Sequence, residues 1–286
     1  LPSDAELSAR KARGQGLTRP ELAVLLSYSK LIAFQQLLDS DIPEDPYLSK
    51  ELQRYFPTAL QNKYAAYMDG HRLKREIIAT AVTNQTINRM GATFLLRMVE
   101  DTGRSVADVA KAYTISRETL NARALWAQID ALDGQLPESV QVDALEVIWK
   151  LQRSFVRWLL QRPGAIPAIS TAVERYQGPF EQIRSASGVL ADAQRAGYEA
   201  RVQGWKDKGL PASLAQQLAE LAYLEPAFDI IELAIARKTR PVEMSKVHFR
   251  LGDALGLPWI FEQIDALEVN GRWHAIARGV LRDELA

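Results

Sequence analysis

The sequence of 286 residues contains no cysteine. This absence excludes disulfide bonds, iron–sulfur clusters, cysteine-ligated zinc and a cysteine nucleophile, and it suits the reducing cytoplasm. An excess of charge of either sign is also missing, because 35 lysine and arginine residues balance 35 aspartate and glutamate residues. A net charge of zero argues against a general binder of nucleic acids or anionic membranes. We therefore expect a cytoplasmic protein whose partners are neither nucleic acid nor membrane.

Long apolar runs are absent as well. No window approaches about 18 consecutive apolar residues, the length that suggests a transmembrane helix. Residues 1–14 have no apolar core after their basic residues, so they do not read as a signal peptide. The sequence starts at Leu1 and stops at Ala286 within a helical pattern. We expect it to be a segment of a longer protein.

Sequence motifs for common reactions and cofactors are missing too. The three histidines, His71, His248 and His274, are far apart and lack the spacing of metal ligands. The glycine-rich dinucleotide motif, the P-loop and the nucleophile elbow do not occur. Acidic residues are scattered and nominate no general acid or base. We therefore predict no catalytic, cofactor-binding or metal-binding residue within this chain.

What the sequence does contain is helical periodicity. Hydrophobic residues make up 47% of the chain, which is ample for a core, and no alternating run is long enough for a confident strand. The pattern predicts an all-α, multi-helix array, orthogonal or bundled, organised around one long central helix at 71–98 and without significant sheet. Steps of four and three residues place one seam of that helix on the core side, namely Ile77, Ala81, Asn84, Asn88, Gly91 and Leu95.

Other helix starts and breaks are visible along the chain. Thr18 and Glu21 predict a capping box ahead of a helix to about residue 38, and Ser105 with Asp108 predicts a second cap. The inner face of the first of these helices is expected to hold Leu22, Leu25, Leu26, Ser29, Ile32 and Ala33. Two prolines and a glycine at 162–167 suggest a division into helical subdomains at 1–162 and 163–286. Beyond that break we expect helices near 168–177, 179–187, 189–207, 212–223, 226–238, 243–255, 258–267 and 273–286.

Residues 106–120 resemble a DNA-binding helix-turn-helix with a turn at 114–116, whose second helix would enter the major groove. Only Arg117 and Arg123 could contact phosphates, and the would-be recognition helix continues into apolar residues. Two helices joined by a tight turn are common in any helical domain. A helical DNA-binding regulator is therefore kept as the alternative function.

Polar residues near the predicted central helix are candidates for contacts between domains. Asn84 and Asn88 could bind a polar ligand or another subunit, although a buried amide pair bonded to neighbouring helices is the simpler interpretation. The basic cluster at 71–76 could pair with acidic groups of another domain or bind an anion, although a solvated face is the simpler interpretation. The candidate contact residues are Asn84, Asn88, Arg89, His71, Arg72 and Arg75.

Several segments, in order, carry a likeness to a known family. They include GLTRPELAVLLSYSKL, HRLKREIIATAVTNQTINRMGATF and LGLPWIFEQIDAL, and the full series lies at 16–31, 37–48, 55–60, 71–94, 107–113, 125–133, 157–163, 255–267 and 272–285. The series resembles the C-terminal helical region of the large bacterial NAD-specific glutamate dehydrogenases. It covers nearly the whole chain.

The resemblance implies that the full-length parent oxidatively deaminates L-glutamate to 2-oxoglutarate and ammonium with reduction of NAD. It also implies that the catalytic lysine and the NAD-binding fold lie outside this segment, and that the parent is a cytoplasmic homo-oligomer. This segment would then be a structural, oligomerisation or regulatory domain that packs on the catalytic domain of the same chain. A helical scaffold unrelated to any dehydrogenase is a further alternative.

Overall fold

The computed structural model describes residues 1–185, 189–190 and 192–285. Within these ranges it contains 17 α-helices and one short 3-10 helix, Ile42–Glu44, and no β-strand. The predicted all-α class is therefore confirmed. The helix end predicted at 187 and the last residue, Ala286, lie outside the described residues.

The α-helices, numbered in chain order, are α1 (Asp4–Ala12), α2 (Arg19–Leu38), α3 (Ser49–Tyr55), α4 (Thr58–Gln61), α5 (Ala65–Asp69), α6 (Lys74–Met90), α7 (Phe94–Thr102), α8 (Val106–Thr119), α9 (Ala122–Asp130), α10 (Glu138–Gln161), α11 (Ile169–Arg184), α12 (Asp192–Asp207), α13 (Ala212–Leu221), α14 (Ala227–Ala236), α15 (Pro241–Ala254), α16 (Leu257–Asp265) and α17 (Arg272–Leu285). The longest of them is α10, with 24 residues. None of the described helices has the length and apolarity needed to cross a membrane.

The chain divides into two compact units. The first comprises residues 1–116 and 153–172, and the second comprises residues 117–152 and 173–286. The chain passes from one unit to the other at 116/117 inside α8, at 152/153 inside α10 and at 172/173 inside α11. The subdomain boundary predicted at 162/163 stays a prediction.

In the first unit, α6 packs against α2, α3, α7 and the 3-10 helix. The helix predicted at 71–98 is not continuous, because α6 ends at Met90 and α7 begins at Phe94. Gly91 lies between them with φ 98° and ψ 160°, a conformation that is essentially restricted to glycine. The expectation of one long central helix is thus corrected to two helices joined by a glycine turn.

The helix α2 begins as predicted. The backbone N–H of Thr18 donates to a carboxylate oxygen of Glu21 at 2.7 Å, which completes a capping box, and Pro20 occupies the first turn. The predicted inner face is wrong in part. Only Ala33 of that set is buried, whereas Leu22, Leu26 and Ile32 are exposed.

In the second unit, successive helices pair in order along the chain. The helix α12 packs on α13, α14 on α15, α15 on α16, and α16 on α17. The helices predicted at 168–177 and 179–187 are instead one helix, α11, with Pro179 inside it. The apolar side of this helix explains its continuity, because Tyr176, Phe180 and Ile183 are all buried along it.

Candidate functional site

The basic cluster at the start of α6 is engaged largely within the first unit. The guanidinium of Arg75 donates to the carbonyl oxygen of Leu38 at 2.6 Å and forms an ion pair with Glu44. These contacts tie α6 to the end of α2 and to the 3-10 helix. Arg75 therefore has a structural role here that the sequence pattern did not indicate.

The other two candidate contact residues of this cluster, His71 and Arg72, differ in exposure. His71 is half-buried, its Nδ1 accepts the backbone N–H of Leu73 at 3.1 Å, and its ring meets that of Phe56 edge-on at 5.7 Å. Arg72 is exposed to solvent. A contact of either residue with another domain stays a prediction.

Asn84 and Asn88 do not form a buried amide pair in this chain. Asn84 is half-buried and Asn88 is exposed, while Arg89 is half-buried in the last turn of α6. The buried residues of α6 lie mainly on another side of the helix and are Ile77, Ile78, Ala79, Val82, Thr83, Thr86, Ile87 and Met90. The two asparagines are thus surface groups of the unit, and their predicted role in contacts between domains stays a prediction.

A polar network that the sequence pattern did not indicate lies next to these residues. Glu51 on α3 is only 2% exposed, and its carboxylate accepts hydrogen bonds from Gln85 at 2.6 Å and from Arg54 at 3.0 Å. The hydroxyl of Tyr113 donates to the backbone carbonyl of Gln85 at 3.0 Å. A buried carboxylate requires such donors, so the network locks α3, α6 and α8 together. A glutamate between apolar neighbours, Leu48 and Leu52, is the signal in the sequence that could have found it.

The helix-turn-helix predicted at 106–120 is not present. Residues 106–119 form one continuous helix, α8, and the residues assigned to the turn, Thr114, Ile115 and Ser116, are buried inside it. The hydroxyl of Thr114 donates back to the carbonyl of Ala110 at 2.9 Å, so a threonine is accommodated within the helix. Arg117, expected to contact phosphate, is only 2% exposed and pairs with Glu118. The turn on which the DNA-binding alternative depended is therefore not found, and the structure does not support that alternative.

In the second unit, a polar cluster joins α11 and α14. Arg175 donates two hydrogen bonds to the carboxylate of Glu232, from Nε to Oε1 and from Nη2 to Oε2, each at 2.7 Å. The hydroxyl of Tyr176 donates to Oε1 of the same carboxylate at 2.7 Å. Burial, followed by the bond to Glu232, raises the pKa of Tyr176 to about 12. The Tyr176 ring also stacks on Phe228 at 4.6 Å. A bidentate pair beside a neutral, stacked tyrosine fixes two helices and leaves no group poised as an acid or base.

A small pocket in the second unit contains titratable groups. Its volume is about 30 Å³, enough for one or two water molecules. Burial raises the pKa of Glu220, which Arg184 lowers in part, and burial also raises the pKa of Tyr198. The remaining lining residues are Leu190, Tyr223, Leu224 and Phe249.

Two features that cofactor and metal sites commonly use are absent from the described residues. These residues include no strand, and the common dinucleotide fold holds the pyrophosphate at a turn between a strand and a helix. Among these residues there is also no group of three or more histidines and carboxylates that could hold a metal ion. The expectation that NAD binds outside this segment stays a prediction.

Comparison with known proteins decides the family. The profile of the family described as "Glutamate dehydrogenase, C-terminal" matches residues 14–286. The chain belongs to this family. The predicted resemblance to the C-terminal region of the large NAD-specific glutamate dehydrogenases is thereby confirmed.

Individual members of the family agree with this assignment. The chain is 37% identical to the NAD-specific glutamate dehydrogenase of Pseudomonas aeruginosa and 36% identical to that of Halomonas elongata, over 286 residues in each case. It is 29% identical to the NAD-specific glutamate dehydrogenase of Mycobacterium tuberculosis over 289 aligned residues. In all three comparisons the match covers 100% of this chain but spans only 18% of the relative's length.

Proposed function

We propose that this chain is a non-catalytic helical domain of an NAD-dependent glutamate dehydrogenase. The observation that carries the proposal is the match of the whole chain to 18% of each NAD-specific glutamate dehydrogenase. The full-length enzyme would convert L-glutamate, water and NAD⁺ to 2-oxoglutarate, ammonium, NADH and a proton. Its NAD site and its catalytic residues would lie in the part of the polypeptide outside this chain.

The geometry of the described residues supports a structural role. Two carboxylates that could have been candidates for acid–base chemistry instead join helices. Glu51 accepts a hydrogen bond from Gln85, and Glu232 forms an ion pair with Arg175. The domain would pack on the catalytic part of the same polypeptide and contribute to a homo-oligomer.

The test compares the full-length polypeptide with the chain of residues 1–286 alone. We expect glutamate-dependent production of NADH, followed by absorbance, from the full-length protein only, and no tight binding of NAD⁺ by the chain alone in calorimetry. NADH production by the chain alone would refute the non-catalytic role. Absence of activity from the full-length protein would refute the assignment of the reaction.

The proposed assembly has its own measurement. We expect analytical ultracentrifugation of the full-length protein to give a single species heavier than one polypeptide. A monomer over the whole range of concentrations used for the activity assay would contradict the homo-oligomer.

A further inference from the structure

The outer side of α2 is an apolar surface without a partner among the described residues of this chain. Ala33 and Leu37 are the buried residues of the helix and lie on the side that faces α6 and the 3-10 helix. On the side away from them, Val24, Tyr28, Leu31 and Ile32 follow the spacing i, i+4, i+7 and i+8, and all four are exposed. We call these four residues the outer stripe. Their spacing is that of a helix which presents one face to a groove.

The residues around the outer stripe carry little charge and few unsatisfied polar groups. Between Leu22 and Leu38 the only charged residue is Lys30. The hydroxyls of Ser27 and Ser29 donate to the carbonyls of Ala23 and Leu25, each at 2.8 Å, so these serines place no unsatisfied hydroxyl donor on the surface. A helix that is apolar on several sides is normally buried on several sides. Leu22 and Leu26, on the side of α2 opposite to the outer stripe, are also exposed.

The composition of this helix identifies the kind of partner. Helices that lie on a membrane surface carry lysine and arginine on a strongly polar face, and α2 has no such face. Transient protein interfaces have a polar character, whereas permanent interfaces resemble a domain core cut in half. The uncharged outer stripe therefore suits a partner that is always present.

We propose that the outer stripe of α2 docks into an apolar groove formed by the remaining part of the same polypeptide. This inference rests on the proposed function. The relatives have most of their length outside the region matched by this chain, and the family is defined as the C-terminal part of the enzyme. The partner would then be covalently connected to the N-terminal side of this chain, and α2 is near that end of the sequence. The groove would be lined by aliphatic and aromatic side chains, with one hydrogen-bond partner for the hydroxyl of Tyr28.

Hydroxyl-radical footprinting of the full-length protein tests the proposal with an internal control. Tyr28 and Tyr67 are 60% and 78% exposed in this chain, so both would react if nothing covered them. We expect Tyr28 to be modified severalfold more slowly than Tyr67 in the full-length protein. Equal reactivity of the two tyrosines would overturn the proposal.

Cross-linking identifies what covers Tyr28. A photo-reactive benzoylphenylalanine replaces Tyr28 in a mixture of full-length ¹⁴N-labelled and ¹⁵N-labelled proteins, and the cross-linked peptides are analysed by mass spectrometry. Cross-links to residues outside 1–286 that never join the two isotopes support the proposal. Cross-links that join the two isotopes would show that a second copy covers the surface, and cross-links only to added lipid would show a membrane contact. Either result would overturn the proposal.

Activity measured on the same samples separates this inference from the proposed function. Glutamate-dependent NADH production with a reactive Tyr28 would overturn the docking surface alone. A protected Tyr28 with intrachain cross-links but no such activity would support the docking surface and refute the assigned reaction.

Discussion

At the scale of single residues, the buried carboxylate of Glu51 is a polar group that joins helices of the first unit. Its bonds to Gln85 and Arg54 satisfy a charge that is almost fully removed from water. The substitution Glu51→Gln keeps the shape but replaces one acceptor by a donor that faces other donors. We expect it to lower the free energy of unfolding by about 2–3 kcal/mol, measured by urea denaturation.

The matched control for this substitution is Glu146→Gln on α10. Glu146 pairs with Lys150 at 3.1 Å, but both side chains are more than half exposed. Because solvent screens such a pair, we expect a loss of less than about 1 kcal/mol. Equal losses for the two variants would contradict the role assigned to the buried network.

Glu21 gives a prediction for pH dependence at the start of α2. The hydrogen bonds from Thr18, and more weakly Arg10, lower the pKa of Glu21 to about 2. A depressed pKa means that folding favours the ionised form. Its stabilising contribution is therefore present above the ordinary glutamate pKa and is lost as the pH falls towards 2.

NMR of ¹³C-labelled glutamate carboxyls can follow this titration. We expect the Glu21 signal to stay that of a carboxylate while the pH falls through about 4.3, the ordinary glutamate pKa. The signal is assigned by its absence from the Glu21→Gln variant. A titration midpoint near the ordinary value would show that the capping box does not hold the ionised carboxylate.

At the scale of elements, the break between α6 and α7 depends on one glycine. Gly91 has φ 98°, and a side chain at this position would be strained even though no heavy atom lies within 4 Å of the place that a Cβ would occupy. We expect Gly91→Ala to lower the free energy of unfolding by about 1–3 kcal/mol. Denaturation followed by circular dichroism measures this loss.

Gly204 is the matched control, because it is a glycine within a helix and does not have the positive φ of Gly91. It lies inside α12, is exposed, and also has no heavy atom within 4 Å of an added Cβ. The variant Gly204→Ala should raise the stability by up to about 1 kcal/mol, because alanine favours the helical backbone. A stabilising Gly91→Ala would mean that the chain can continue as one helix from α6 into α7.

The elements also show what sequence periodicity can predict. Local signals place the start of α2 and the cap of α8 correctly, because Thr18 and Ser105 each bond within three residues. Periodicity misses the buried side of α6 because Thr83 and Thr86 count as polar in the pattern. In the structure the Thr86 hydroxyl donates to the carbonyl of Val82 at 2.8 Å, so its methyl group can pack in the core.

Long-range contacts explain the other differences. Whether Asn88 is buried, or whether Pro179 ends a helix, depends on which helices pack nearby, and spacing along the chain does not contain that information. The candidate contact residues follow from such spacing or, for the basic cluster at 71–76, from local charge. Of these, Arg75 is engaged within the first unit, where it bonds to the carbonyl of Leu38.

At the scale of the whole molecule, the exposed apolar side of α2 has a different meaning in the isolated chain and in the full-length polypeptide. Leu31 is 62% exposed here, so Leu31→Glu should change the stability of residues 1–286 by less than about 0.5 kcal/mol. In the full-length protein the same carboxylate would enter the proposed apolar groove without a partner, at a high desolvation cost. We expect the thermal midpoint to fall by several degrees there.

The variant Leu96→Glu on α7 distinguishes this effect from a general response to surface charge. Leu96 is 60% exposed, nearly the same as Leu31, but it does not belong to the outer stripe. Scanning calorimetry of both full-length variants at one scan rate should therefore show a lowered midpoint only for Leu31→Glu. Unchanged midpoints for both variants would show that α2 faces solvent in the full-length protein.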